Sequence, residues 1–133
     1  MKFLARFEPQ LRSLARIVIG FTFSLHGWQK IFGAFGGLRG HTPPIGSMIG
    51  VAGLLETIGG AFIILGLFTE CTAFVLSGEM AVGYFLTHAP RGLWPIANGG
   101  ELAVLYCFFF LWLSAAGAGP WSLDHLIRRS RRA

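Results

Sequence analysis

Glu56, Glu79 and Glu101 stand inside or at the edge of long apolar runs, and so do His26, Gln29 and Lys30. Thr22, His26, Gln29 and Lys30 recur at spacings of three and four, which places them on one helical face. Carboxyl and imidazole groups in such surroundings can exchange protons, and an ionised side chain facing lipid costs at least about 2.5–3.5 kcal/mol. These groups are therefore expected to point into a bundle. Gly46, Gly50, Gly53, Glu56 and Gly60 form one stripe, so Glu56 lies on a seam that a neighbouring helix can approach closely. Glu79 shares a face with Gly83 and Thr87, and His88, Arg91 and Asn98 fall between two apolar runs.

Several chemistries fail on this residue set. Ser24, Ser77 and Ser114 lack the turn and partners of a catalytic serine. Cys71 and Cys107 are expected at depths differing by roughly 12–15 Å, too far for a disulfide, whose Cα atoms lie within about 7 Å. His26 and His88 differ by roughly 8–10 Å along the membrane normal, which disfavours a bis-histidine haem. No Glu-x-x-His pair supports a di-iron centre, and no metal site is expected. The segment Gly33-Ala-Phe-Gly-Gly-Leu-Arg-Gly40 lacks the Lys-Ser/Thr ending of a phosphate loop and reads as a flexible connection. A quinone or similar flat, mostly apolar molecule remains, because it needs only an apolar slot and a few proton-exchanging groups. His26, the acids, Tyr84 and Trp94 could supply these, and Tyr84, Phe85, Tyr106 and Phe108 supply aromatic walls or ordinary packing.

The composition says what must position these groups. Of 133 residues, 53% are hydrophobic and 13% charged, with a mean hydropathy of +0.61. A soluble domain carries about a quarter charged residues. Apolar content excludes disorder, and two cysteines exclude a disulfide scaffold. The net charge of +5 gathers at the chain ends and in short gaps, a membrane-protein pattern that argues against a nucleic-acid partner. Four runs reach the ~20 apolar residues of a membrane helix: about 13–32, 46–68, 71–89 and 99–118. The first continues through Trp28 without a small-residue cleavage site, so it reads as a span and not a signal peptide. The expectation is an all-α polytopic membrane protein, one domain over 1–133, folded as an antiparallel four-transmembrane-helix bundle.

An even number of spans puts both termini and the Thr69–Glu70 turn on one side. That side holds Lys2, Arg6, Arg12, Arg16, Arg128, Arg129, Arg131 and Arg132, against Lys30, Arg39 and Arg91 opposite. Eight bases against three predict cytoplasmic termini. The C-terminal arginines read as this topology signal in preference to a specific anionic-lipid site. Trp28 and Trp94 then lie near the outer interface and Trp121 near the inner one. At about 1.5 Å per residue, Glu101 lies about 5 Å below the outer helix ends, His26 about 9 Å, and Glu56 and Glu79 about 14–15 Å. The expectation is a polar pocket of His26, Glu56, Glu79 and Glu101 opening outward, with His88, Arg91 and Asn98 at its mouth. Duller roles stand beside it. Glu101 can complement a helix dipole, Lys30 and Arg91 can anchor at headgroups, and His26 can join helices by a hydrogen bond.

Leu25-His-Gly-Trp-Gln-Lys-Ile-Phe-Gly33, Gly53-Leu-Leu-Glu-Thr-Ile-Gly-Gly60 and Leu65-Gly-Leu-Phe-Thr69 resemble segments of the DoxX family. So do Gly78-Glu-Met-Ala-Val-Gly-Tyr-Phe85, His88-Ala-Pro-Arg-Gly-Leu-Trp-Pro95 and Asn98-Gly-Gly-Glu101, in order over residues 12–124. The resemblance implies a small four-helix protein of the bacterial inner membrane. It also implies a redox or quinone association, because relatives include subunits of thiosulfate:quinone oxidoreductase and of thiol- and superoxide-handling complexes. No motif identifies thiosulfate as a substrate.

Three functions follow as expectations. The first is a membrane subunit of a quinone-linked oxidoreductase, active only with a partner, with a quinone as the candidate cofactor. The second is a non-catalytic assembly subunit whose acids pair with Lys30 or Arg91 to set helix register. A small transporter comes third, because a relay must cross the membrane and the cytoplasmic half carries few polar groups. The expected partners are the lipid bilayer, a redox or membrane-complex protein, or a second copy.

Overall fold

The computed structural model describes residues 2–131; Arg132, counted above with the basic cluster, lies outside the described residues. The described residues are helical with no strands. A short helix α1 (Lys2–Ala5) leads into α2 (Glu8–Ile31), which starts with Glu8 and Pro9 in its first turn. Helix α3 (Met48–Leu65) opens with Ser47, whose Oγ accepts from Gly50 N–H at 3.0 Å. It closes with Gly66 at φ 67°, whose N–H returns to the Ile63 carbonyl while Leu67 N–H returns to Phe62. Helix α4 (Thr69–Gly83) continues as a π turn over Tyr84–His88 and a 3-10 turn over Ala89–Arg91. One turn, α5 (Pro95–Asn98), precedes α6 (Glu101–Ala116), and α7 (Leu123–Ser130) ends the described chain.

Contacts fix the register and direction of the long helices. A Cβ on Gly20 would meet Ile63, one on Gly60 would meet Ser24, and one on Gly27 would meet the backbone of Thr57 and Gly53. Rising along α2 therefore means descending along α3. The same reversal relates α4 to α6, through Ser77 with Cys107 and Tyr84 with Gly100. Glycines bring α2 onto α3 and α3 onto α4, where Gly59 meets Leu76. Large aromatics mediate the meeting of α2 and α6: Phe23 packs on Tyr106 and Phe110 with ring centroids 5.0 and 4.9 Å apart. Phe23, Ile63, Ala73, Leu76, Tyr106, Phe110 and Leu113 make the buried core.

The surface inverts the usual rule. Leu14, Val18, Phe21, Ile58, Phe74, Val82, Leu105 and Phe108 face outward, while Ser13, Arg16, Ser24, Glu56, Thr69 and Ser77 are buried. Only α3, with 18 residues at mean hydropathy 2.0, is long and apolar enough among the described helices to cross a membrane by length and composition alone. This is narrower than the four spans expected from the sequence. The inward polar groups of α2 dilute its apolar content, α4 leaves α-helical geometry at Gly83, and α6 is 16 residues long.

The tightest helix contact generates a test. Gly27→Ala would place a Cβ 2.6 Å from the Thr57 backbone nitrogen, and the two backbones must separate. The expected cost is roughly 1–3 kcal/mol, read as a lower thermal unfolding midpoint in detergent. Gly78→Ala, which meets nothing within 4 Å, should leave the midpoint unchanged or raise it.

Candidate functional site

The residues expected in one polar pocket occupy separate places. His26 lines a groove of about 760 Å³ between α2 and α6, with Ile19, Thr22, Leu25, Gln29, Phe35, Leu102, Leu105, Tyr106 and Phe109. The groove walls are aliphatic and aromatic, and its polar groups come from His26, Thr22, Gln29 and Tyr106. Tyr106 is itself buried; its hydroxyl donates to Thr22 Oγ1 at 3.1 Å, and its ring stands edge-on to His26 at 6.0 Å. Thr22 passes its own hydroxyl proton back to the Ile19 carbonyl at 3.0 Å. Gln29 donates to the carbonyl of Gly37 at 3.1 Å and so ties the glycine-rich loop to α2. That loop does more than connect: Phe35, held at φ 56°, contributes its ring to the groove.

Glu56 lies elsewhere, on the seam where α2, α3 and α4 meet. Lys30 Nζ donates to Glu56 Oε1 at 2.5 Å, and the Glu56 side chain is 3% exposed. Lys30 is thus an inward partner of Glu56 and not a headgroup anchor. Both carboxyl oxygens of Glu79, on α4, are buried without a hydrogen-bond partner among the described residues, as is Glu56 Oε2. Glu101 joins neither group. It is exposed in the first turn of α6, where a carboxylate complements the helix dipole.

His88, Arg91 and Asn98 do come together, as a clamp on the loop that joins α4 to α6. The buried Asn98 amide donates to Tyr84 Oη at 3.1 Å and to the Gly92 carbonyl at 2.6 Å, and its Oδ1 accepts from Gly100 N–H at 2.8 Å. Tyr84 donates in turn to Leu93 O at 2.6 Å. His88 Nδ1 lies 3.2 Å from the Asn98 carbonyl and 3.1 Å from the Arg91 guanidinium. A protonated Nδ1 serves the first contact and an unprotonated one the second.

Arg16 is the residue whose interior role sequence reasoning misses. It counts among the bases that set the expected topology, and the structure buries it fully. Its guanidinium donates to the carbonyls of Ala118 at 2.9 Å, Ile64 at 2.6 Å, Trp121 at 2.5 Å, and also of Ile63. The signal was present, because Ser13, Arg16, Gly20, Ser24 and Gly27 follow one another at helical spacing on the inward face of α2.

The DoxX family description matches residues 11–89, more than half of the chain, and takes in α2, α3, α4 and the π turn. The chain belongs to the DoxX family. A Haemophilus influenzae protein described only as an uncharacterized protein is 43% identical over 129 residues, 94% of this chain and 96% of its own length. No solved structure matches this DoxX chain. The family match contains His26, Lys30, Glu56 and Glu79 and ends before Asn98, Glu101 and the α6 wall of the groove.

In this DoxX protein the Lys30–Glu56 pair should behave as one unit. Lys30→Met leaves a buried carboxylate unpaired and is expected to cost roughly 3–5 kcal/mol. Lys30→Met combined with Glu56→Leu should cost much less than the sum of the single changes. Thermal unfolding of the four proteins in one detergent measures the coupling. Additive effects would mean the pair contributes nothing.

Proposed function

We propose that this DoxX protein spans the bacterial inner membrane four times with both termini cytoplasmic, and serves as the membrane subunit of a quinone-linked oxidoreductase or redox complex. The apolar outer surface and the burial of Arg16, Ser24, Glu56, Thr69 and Ser77 within the bundle support insertion, since a bundle in lipid turns its polar groups inward. The turns after Gly83 extend the α4 rod to His88. The basic ends, Lys2 and Arg6 at one terminus and Arg128 to Arg131 at the other, support cytoplasmic termini.

The α2–α6 groove carries the functional reading. It is mostly apolar, open along the side of the bundle, and presents His26 and Tyr106 to whatever enters. A quinone supplies two-electron, two-proton redox chemistry when bound. His26 would hold one ring oxygen of a bound quinone by a hydrogen bond, and Tyr106, anchored by Thr22, stiffens the wall behind it. Phe35 and Phe109 offer flat faces to a ring, and the aliphatic wall suits a prenyl tail. Electrons come from a partner protein, because a bundle this small offers little surface for a donor site and an acceptor site together.

One observation favours the assembly reading as well: Lys30–Glu56 ties α2 to α3 and needs no substrate. Transport fits less well, since Phe23, Ile63, Leu76 and Phe110 fill the bundle between the Lys30 and Arg16 levels.

Quinone extracted from the detergent-purified protein separates the readings. His26→Leu should retain about five- to tenfold less quinone than the native chain, the worth of one lost hydrogen bond. Glu101→Gln, outside the groove, should retain the native amount. Equal retention by His26→Leu, or no quinone on the native chain, would favour the assembly role. Topology has its own test. With Cys71 and Cys107 replaced by alanine, Thr42→Cys should react with an impermeant thiol probe from the periplasmic side, and reaction from the cytoplasmic side alone would invert the orientation.

A further inference from the structure

Helix α7 is latched to the bundle along one side. Asp124 accepts the backbone N–H groups of Phe68 and Thr69, each at 2.9 Å, and so caps α4 from a distant part of the chain. Its own N–H donates to the Gly66 carbonyl at 2.9 Å. One turn further on, Arg128 pairs with Glu70 at 2.6 Å. At about 100° per residue, Asp124 and Arg128 share one face of α7 while Leu123, Leu126 and Ile127 share another. The latch thus turns an apolar face outward: these three residues are 37%, 59% and 42% exposed, and Trp121 just before them is 55% exposed.

The charges at this end are as asymmetric as the apolar residues. Its three acids are all engaged within the chain: Glu8 with Arg12, Glu70 with Arg128, and Asp124 with the α4 N-terminus. Arg129 and Arg131 are exposed, and Arg6 lies over the rings of Phe3 and Phe7 at 4.1 and 4.8 Å. What faces outward is therefore basic and apolar together. Such a helix lies in a membrane interface, with its apolar face in the acyl boundary and its cations among headgroups. A second copy would bring the same positive charge and be repelled.

We propose that α7 lies in the cytoplasmic interface and that its exposed arginines recognise anionic phospholipid headgroups. This rests on the membrane reading above and adds a lipid-binding surface to it. The arginines act here as a binding element in addition to a topology signal, because the Asp124 and Arg128 latches fix the direction in which α7 presents them.

The full chain, released from nanodiscs of mixed phosphatidylcholine and phosphatidylglycerol into a native mass spectrometer, reports which lipid it keeps. Native protein should retain phosphatidylglycerol preferentially. Arg129→Gln with Arg131→Gln should lower that preference by about fivefold per arginine removed, and added salt should erode it. Unchanged helicity by circular dichroism shows that the exposed substitutions leave the fold intact. No preference in the native protein, or an equal preference in the variant, would overturn the proposal. So would release as a dimer that Leu126→Ser with Ile127→Ser abolishes, which would assign the face to a second copy. Recovery of the chain in the soluble fraction without detergent would overturn the membrane reading itself, whereas an inserted protein without lipid preference overturns only this inference.

Discussion

The C-terminal turn of α3 satisfies its own carbonyls only in part, with Gly66 N–H on Ile63 and Leu67 N–H on Phe62, and in an apolar setting a carbonyl left bare is costly. Arg16 meets that need from α2. Its guanidinium reaches the carbonyls of Ile63 and Ile64 while also holding those of Ala118 and Trp121 in the α6–α7 linker. A planar fork with five donors suits four carbonyls, whereas a lysine would present a point charge. The consequences spread outward. α2 and α3 are set in register, and the linker is drawn over Gly66, where a side chain would meet Arg16 and Ser122. α7 is then placed so that Asp124 reaches the α4 N-terminus.

Register set at one end decides what meets at the other. With Arg16 on Ile63, the antiparallel pairing sets Gly20 against Ile63, brings Ser24 onto Gly60 and Gly27 onto Gly53 and Thr57, and carries Lys30 to Glu56. The close α2–α3 contact turns the opposite side of α2 toward α6, where side chains are large. Phe23 and Tyr106 hold those helices apart, and the groove is the space their size leaves. Small residues on one seam and aromatic residues on the other are therefore one design read twice.

Much of this was legible in residue types and spacing. Period and hydropathy located the long helices to within a few residues, and the glycine stripe around Glu56 identified the α3 seam. Depth counting puts His26, Glu56 and Glu79 in the outer half of the bundle but does not say on which side of α2 each sits. His26 turns to α6, while Lys30, one turn away, turns to α3. The Asn98 clamp is not legible in residue spacing, because its partners, Tyr84 and the Gly92 and Leu93 carbonyls, depend on loop geometry. The interior role of Arg16 is not legible in a count of flanking bases, because its four carbonyl partners come from segments more than 40 residues away.

The functional account joins these pieces. A lateral groove with His26, Thr22, Gln29 and Tyr106 on a mostly apolar wall suits a membrane-soluble ring, and the neighbouring Lys30–Glu56 seam ties α2, one wall of that groove, to α3. The most direct measurement is photo-crosslinking of an azido-quinone to the native protein in membranes, followed by peptide mapping. The account predicts label on the α2 segment around Leu25 to Gln29 and on the α6 segment around Leu102 to Phe109, with competition by unmodified quinone. Competed label confined to the outer apolar faces of α3 and α4, or no competed label at all, would contradict it.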